Sequence, residues 1–220
     1  MKNISLEYES KTRSDEFYIN NIIEAVNILD FFSMKEAIKE AIDMGVSIVD
    51  IIKKGVLIGL EESGEMGLIL AAEALEGEII SPDENTQKKV AKSQNYSGKV
   101  VIGTIKGDIH SLGKNIASII MKSYGMDVID LGVDVEPKKF EEFAYLPDVK
   151  VIGISFLLSS AEPRIKEVMY LLKKEELKNK VKVILGGAAV TPEIAEETNA
   201  DAYAIDALKG VDIIEEWLRS

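Results

Sequence analysis

Lys99-Val-Val-Ile-Gly-Thr-Ile105 leads directly into Lys106-Gly107-Asp108-Ile109-His110-Ser111-Leu112-Gly113-Lys114-Asn115. The first stretch is a short β-branched run of the kind that fills a buried strand. The second opens on a turn glycine and passes into Gly113–Tyr124, whose apolar residues recur at helical spacing. A strand, a loop and a helix in that order are the first half of a βαβ unit. Downstream the pattern repeats. Strand-like runs at Met126–Leu131, Lys150–Leu157, Val181–Leu185 and Ala202–Ile205 alternate with helical stretches at Pro137–Tyr145, Glu162–Lys174, Thr191–Thr198 and Ala207–Leu218. This alternation predicts a doubly wound five-stranded parallel sheet over 99–220, with helices on both faces. Ligands of such sheets bind beyond the carboxyl ends of the strands, at a topological switch point. The loops after strands one, three and four are therefore where a site is expected.

Upstream, the periodicity is helical throughout. From Phe17, the residues Ile19, Ile22, Ile23, Val26 and Leu29 share one face. Ser33 and Glu36 have capping-box spacing ahead of Met34, Ala37, Ile38, Ala41 and Ile42, and Gly45 is the stop. Ser47 and Asp50 open a third helix through Ile48, Ile51, Ile52 and Leu60. A fourth, Met66 to Leu75, is apolar on most sides. These runs predict an N-terminal four-helix bundle over 15–80, behind a loose polar arm at 1–14. The polar stretch 81–98, with Pro82, Asn85, Asn95 and Gly98, reads as a linker containing a short helix at Thr86–Ser93.

The 220-residue chain sets 26 Lys+Arg against 38 Asp+Glu, a formal net charge of −12. Such a surface repels phosphate backbones and anionic lipid, so no nucleic-acid and no membrane function is expected. No apolar run approaches the ~18 residues of a membrane span. The N-terminal MKNISLEYESKTRSDE lacks the apolar core of a signal peptide, so a cytoplasmic location is expected. Cysteine is absent and histidine occurs once. That excludes disulfides, thiolate nucleophiles, zinc–thiolate sites, cysteine-ligated iron–sulfur clusters and any two-histidine metal site on one chain. Chemistry that needs an imidazole must use His110.

The loop after strand one is neither a G-x-G-x-x-G fingerprint nor a P-loop. It sets the Asp108 carboxylate two residues before His110. From there the carboxylate can accept a hydrogen bond from one ring nitrogen and leave the other with a free lone pair, as behind a metal-ligating histidine. The same spacing also suits a loop histidine beside a helix-capping aspartate, and D-x-H alone does not separate the two.

The longer pattern Asp108-x-His110-x-x-Gly113-Lys114-Asn115 resembles the cobalamin-binding fingerprint of corrinoid proteins, shared by methionine synthase, the mutases and the corrinoid proteins of methyltransferase systems. Ser155-Phe156-Leu157 matches the family's S-x-L after strand three. Gly186-Gly187, within Leu185-Gly-Gly-Ala-Ala-Val-Thr191, matches its paired glycines after strand four. Asn199–Asp206 resembles its last strand. The resemblance spans Phe17 to Ser220 and includes the preceding helical domain, whose fourth helix is echoed by Leu70–Leu75.

It implies a flavodoxin-like or Rossmann-like fold and cobalamin bound base-off, with the dimethylbenzimidazole detached from cobalt and threaded into the sheet domain. His110 would be the metal ligand, oriented by Asp108. The cofactor-binding residues it implies are Asp108, His110, Ser111, Gly113, Ser155, Leu157, Ser159, Gly186 and Gly187. Physically, Gly153, Gly186 and Gly187 leave room for a nucleotide tail. The Ser155 hydroxyl can pair a buried ring nitrogen, and Leu157 is expected to be core as well as pocket wall. The chain departs from the family in two places. Glu61–Gly67 is shorter than the family's usual stretch, leaving Met66 and Leu70 as candidates to cover the methyl face. Ala161 stands where related proteins often carry the hydroxyl of a Ser/Thr–His–Asp relay. Asp108 is therefore expected to lack one partner unless water, Ser159 or Ser160 substitutes.

The function so implied is that of a non-catalytic methyl carrier on cobalamin. It would work between a substrate:corrinoid methyltransferase and an acceptor methyltransferase, with a reductive activation protein as third partner. Two alternatives stay open here: the cobalamin-binding subunit of an adenosylcobalamin-dependent mutase, and a cobalamin sensor acting through protein contacts. The helical domain counts against the first.

Overall fold

The computed structural model describes residues 14–59, 67, 70, 71, 73–75 and 96–219. The predicted arm, most of the linker with its short helix, and Met66 lie outside the described residues. The chain divides into two units, Met1–Ala91 and Lys92–Ser220.

The first unit is helical. Its described elements are α1 (Asp15–Asn27), α2 (Phe31–Asp43) and α3 (Ile48–Asp50), the last continuing as a π turn over Ile51–Val56. Gly67, Leu70, Ala71 and Glu73–Leu75 are helical as well. Ile19, Ile22 and Val26 of α1 and Met34, Ile38, Ala41 and Ile42 of α2 form the buried stripe. Helix α2 does not begin at the expected capping box. Its N-cap is Asp30, whose carboxylate accepts the N–H groups of Phe32 (3.1 Å) and Ser33 (3.4 Å) and the Ser33 hydroxyl (2.7 Å). Ser33 thus lies inside the first turn, because the carboxylate three residues earlier already holds the free N–H groups. Ser47 caps α3 as expected, accepting from Asp50 N–H at 3.0 Å. The π turn was not foreseen. A Cβ on Gly55, within that turn, or on Gly59, just past it, would lie 3.1 Å from Ile22 or 2.7 Å from Val26, so these glycines let the chain approach α1 closely.

The second unit is the predicted α/β domain. Five parallel strands, β1 (Lys99–Thr104), β2 (Asp127–Asp130), β3 (Val149–Ser155), β4 (Lys182–Gly186) and β5 (Ala202–Ala204), lie in the order β2-β1-β3-β4-β5. The helices are α4 (Leu112–Ser123), α5 (Pro137–Ala144), α6 (Glu162–Lys174), α7 (Pro192–Thr198) and α8 (Ala207–Arg219). Helix α4 packs with α8, and α6 packs with α5 and α7, which gives the double winding. Val101, Ile152, Ile154, Phe156, Val183 and Leu185 meet Phe140, Ile165, Val168 and Leu172 in one continuous core.

The connection after β1 runs to β2 on one side, while β3 lies on the other, so the switch point falls at the carboxyl end of β1. Strand register places Thr104 beside Ser155, Ser155 beside Gly186 and Gly186 beside Ala204. One row of residues therefore crosses four strands at the ligand end of the sheet. Among the described residues no helix is long and apolar enough to cross a membrane.

Candidate functional site

The loop that leaves β1 at the switch point is built around Asp108. Its carboxylate is fully buried and accepts four hydrogen bonds. Oδ1 takes the backbone N–H of His110 (2.9 Å) and pairs with the imidazole Nδ1 (2.7 Å), while Oδ2 takes the backbone N–H groups of Leu157 (2.6 Å) and Leu158 (3.0 Å). Burial pushes this carboxyl up. The His110 and Leu157 amides, the ring and the Leu158 amide outweigh it and hold the group below the ordinary aspartate range. An ionised Asp108 can only accept, so Nδ1 carries a proton, and in the neutral ring it is Nε2 that offers the lone pair. The ring stands half-exposed, with 50% of the side-chain surface accessible.

The relay expectation at Ala161 is corrected by the same geometry. Asp108 is not short of a partner, because two main-chain amides of the β3 loop fill the oxygen a hydroxyl would have served. Ala161 is buried, whereas Ser159 and Ser160 are exposed and neither bonds to Asp108. Leu157, expected to be core as well as pocket wall, is 41% exposed rather than core, and its main-chain N–H donates to Asp108.

Two other groups, neither among the expected cofactor-binding residues, shape the loop. Thr104, fully buried at the end of β1, donates its hydroxyl to the His110 carbonyl at 2.9 Å. Lys114, in the first turn of α4, bonds Asp130 at the end of β2 (2.5 Å) and the Asn115 amide oxygen (2.7 Å). The G-K-N segment was legible as a motif, but its partner Asp130 lies in another βα unit and carries no local signal.

The remaining candidates fall into separate groups. Ser155 and Gly186 are register neighbours in the row described above. Ser155 is partly accessible, and its hydroxyl makes no hydrogen bond among the described residues. Only one atom, the Ala204 carbonyl oxygen at 3.9 Å, stands near the position of a Cβ on Gly186. Gly113 likewise faces open space, and Ser111 immediately precedes α4 without a side-chain cap bond. Gly153 and Gly187 are different. The space above Gly153 is taken by Ile102, 2.9 Å from a Cβ there, so it serves strand packing rather than a ligand. Gly187 has φ +116° and its absent Cβ would lie 2.1 Å from the Phe156 carbonyl, so the turn itself requires glycine.

Around these groups the strand ends and loops expose apolar side chains: Ile109 (74%), Val133, Leu157, Leu158, Tyr203 and Ile205. No group of three or more His, Asp or Glu among the described residues could hold a metal by itself. A single imidazole with a free lone pair, an uncommitted hydroxyl, an open glycine and an apolar rim fit a metal that arrives inside a large, flat, mostly apolar cofactor.

The comparisons with known proteins agree with that chemistry. The B12 binding domain family matches residues 98–215. Trimethylamine corrinoid protein 1 of Methanosarcina acetivorans is 34% identical over 205 residues, covering 88% of this chain and 94% of its own. The solved monomethylamine corrinoid protein of Methanosarcina barkeri is 25% identical with a TM-score of 0.71, covering 92% of this chain and 99% of that one. The methanol:cobalamin methyltransferase complex of the same organism shares the fold at 22% identity and a TM-score of 0.56, over 99% of this chain and 85% of that one. A cobalamin-type fingerprint on the switch-point loop, a B12 binding domain over that region and a relative matched over nearly its whole length together show that this chain belongs to the family of B12-binding corrinoid proteins.

Proposed function

We propose that the chain carries a methyl group on bound cobalamin between two methyltransferases in the cytoplasm, holding the cofactor base-off with His110 Nε2 as the lower cobalt ligand. The observation that carries the ligation is the 2.7 Å bond between His110 Nδ1 and Asp108 Oδ1. It fixes the tautomer, aims the ring and makes Nε2 the better donor. When bound, cobalamin supplies the centre that accepts and releases the methyl group.

The chain's own residues do the rest. Asp108 keeps a proton on Nδ1 and the imidazole oriented when the ring is off the metal. The Thr104 hydroxyl fixes the His110 main chain from beneath. Ser155 offers a hydroxyl to the nucleotide tail, Gly186 and Gly113 leave it space, and Ser111 and Ser159 border it. The partners are a methyltransferase that supplies the methyl group, a second that removes it, and a reductive activation protein. Trimethylamine and monomethylamine, for which two relatives are named, are the first donors to test.

The test is paramagnetic resonance of the protein loaded with Co(II) cobalamin. Coordination by His110 gives nitrogen splitting that His110→Ala abolishes. Splitting that survives in the variant overturns the assignment, because the chain has no second imidazole. Interconversion of the loaded protein between methylated and reduced spectra, driven by methyltransferases, supports the carrier reading. Selective binding of adenosylcobalamin with bond homolysis on addition of substrate would instead favour a mutase subunit.

A further inference from the structure

Asp134, in the loop after β2, belongs to none of the motif residues above. Its backbone is left-handed, with φ 54°. L residues adopt that conformation at a cost, and aspartate and asparagine tolerate it best. From this pose Asp134 makes three bonds. Oδ1 accepts the Gly107 N–H at 2.8 Å, Oδ2 receives the Lys106 ammonium at 2.9 Å, and its own N–H donates to the Asp108 carbonyl at 3.0 Å.

One residue therefore brackets the Gly107-Asp108 dipeptide, bonding the N–H at one end and the carbonyl at the other. The bracket extends the β1–β2 edge past the strands. Lys106 N–H donates to the Val135 carbonyl and Val135 N–H to the Thr104 carbonyl, both at 2.9 Å. Within the bracket Gly107 has φ +89°, a position with no side chain to restrict rotation. From the other side, the Leu157 and Leu158 amides grip only the Asp108 side chain. The β3 loop thus holds the carboxylate, while the main chain that carries it is bonded from the β2 loop and, within its own turn, by the Asp108 N–H to the Ile105 carbonyl at 3.1 Å.

We infer that Asp134 is a positioning residue for axial ligation: by fixing the backbone at Gly107 and Asp108 it sets the direction of the Asp108 carboxylate and, through it, of His110 Nε2. This inference rests on the reading of His110 as the cobalt ligand. It assigns to the β2 loop a share of the ligation geometry that no residue touching the imidazole supplies.

Three variants test it. Asp134→Asn keeps the left-handed tolerance and an acceptor for Gly107 N–H. Asp134→Gly keeps the backbone freedom and deletes the side chain, and Asp134→Ala loses both. In ligand-free protein the readout is the imidazole nitrogen spectrum of His110, in which a proton held on Nδ1 marks the oriented ring. In protein loaded with Co(II) cobalamin the readout is the ratio of signal without nitrogen splitting to signal with it.

Asp134→Asn should match wild type in both. Asp134→Gly and Asp134→Ala should lose the Nδ1–H preference and raise the unsplit-to-split ratio about five-fold, the effect of one lost hydrogen bond. Asp134→Gly with wild-type ring spectrum and wild-type ratio overturns the inference, and it remains decisive should Asp134→Ala fail to fold. Absence of splitting in wild type itself would instead overturn the ligation reading, and the ring spectra of the ligand-free variants then decide the positioning role alone.

Discussion

Lys114 and Asp130 meet at 2.5 Å with the lysine side chain only 4% exposed and the aspartate 29% exposed. The pair ties the first turn of α4 to the end of β2, across the base of the loop that carries His110. Its two members are not equally replaceable. Asp130 reaches water and also accepts the Gly132 N–H at 2.9 Å, whereas the lysine ammonium is sealed in.

Removing the aspartate should therefore cost more than removing the lysine. Asp130→Leu strands a buried charge, a loss of about 3 kcal/mol, while Lys114→Met leaves a carboxylate that water can solvate and should cost about 1 kcal/mol. Urea midpoints of the two variants measure the difference. The reverse order would mean that the Asn115 amide oxygen, which the ammonium also bonds at 2.7 Å, suffices to hold it.

The paired glycines should separate stability from binding. Gly187→Ala forces an L residue to φ +116° and drives its Cβ into the Phe156 carbonyl, so a loss of about 3 kcal/mol or more is expected. Gly186→Ala meets only the Ala204 carbonyl at 3.9 Å and should fold within about 1 kcal/mol of wild type. If the nucleotide tail lies over Gly186, the same variant should bind cobalamin at least about ten-fold more weakly. Thermal melts and cobalamin titration of both proteins check the two halves separately.

At the opposite end of the sheet, Asp201 accepts bonds from the Lys178 and Lys182 ammonium groups and, at 2.7 Å, from the Val183 N–H. Burial raises its affinity for a proton, but the Lys178 contact and the Val183 amide more than offset this and hold the carboxyl below its ordinary value. A group whose folded pKa is depressed contributes stability that is present above its unfolded pKa and lost as pH falls through the folded one. Asp201→Asn should thus be less stable than wild type at pH 7 by about 1 kcal/mol. The gap should close as pH drops below about 4. Denaturant melts across that range give the comparison, and a gap independent of pH would count against the assignment.

Lys180 closes the carboxyl end of α5. Its ammonium donates to the carbonyls of Ala144 (2.9 Å), Tyr145 (3.0 Å) and Leu146 (2.7 Å), oxygens that no further helical turn would satisfy. Lys180→Met should cost about 1 kcal/mol, with hydrogen exchange accelerated at the end of α5 and not at β1.

The βα alternation was legible because each strand was a compact β-branched run and each helix kept its apolar spacing. The limits of α6 agree residue for residue with the sequence reading, and those of β1, α4, α5, α7 and α8 lie within one residue. What the sequence hid was non-local or main-chain. The α2 cap moved to Asp30 because a carboxylate outcompetes the Ser33 hydroxyl for the first turn's N–H groups. The π turn at Ile51–Val56 left no mark in an apolar pattern that suits an α-helix equally well. At the site, Asp108 and His110 announced themselves through their spacing. Asp130 and Asp134 reach this loop from the β2 side and lie outside any window around His110, while Thr104 lies inside that window but belongs to no motif. Gly153 and Gly187 looked like ligand clearance, yet Ile102 and Phe156 fill the space each leaves.

The clamp on Asp108 Oδ2 also bears on how this loop tolerates change. A relay that ends on a serine or threonine is erased by one substitution at one codon. Here both donors are peptide N–H groups, which every amino acid but proline supplies. Positions 157 and 158 are thus free to exchange side chains, and so to reshape the apolar rim, without disturbing the carboxylate behind the imidazole. The rim and the ligand support can drift independently.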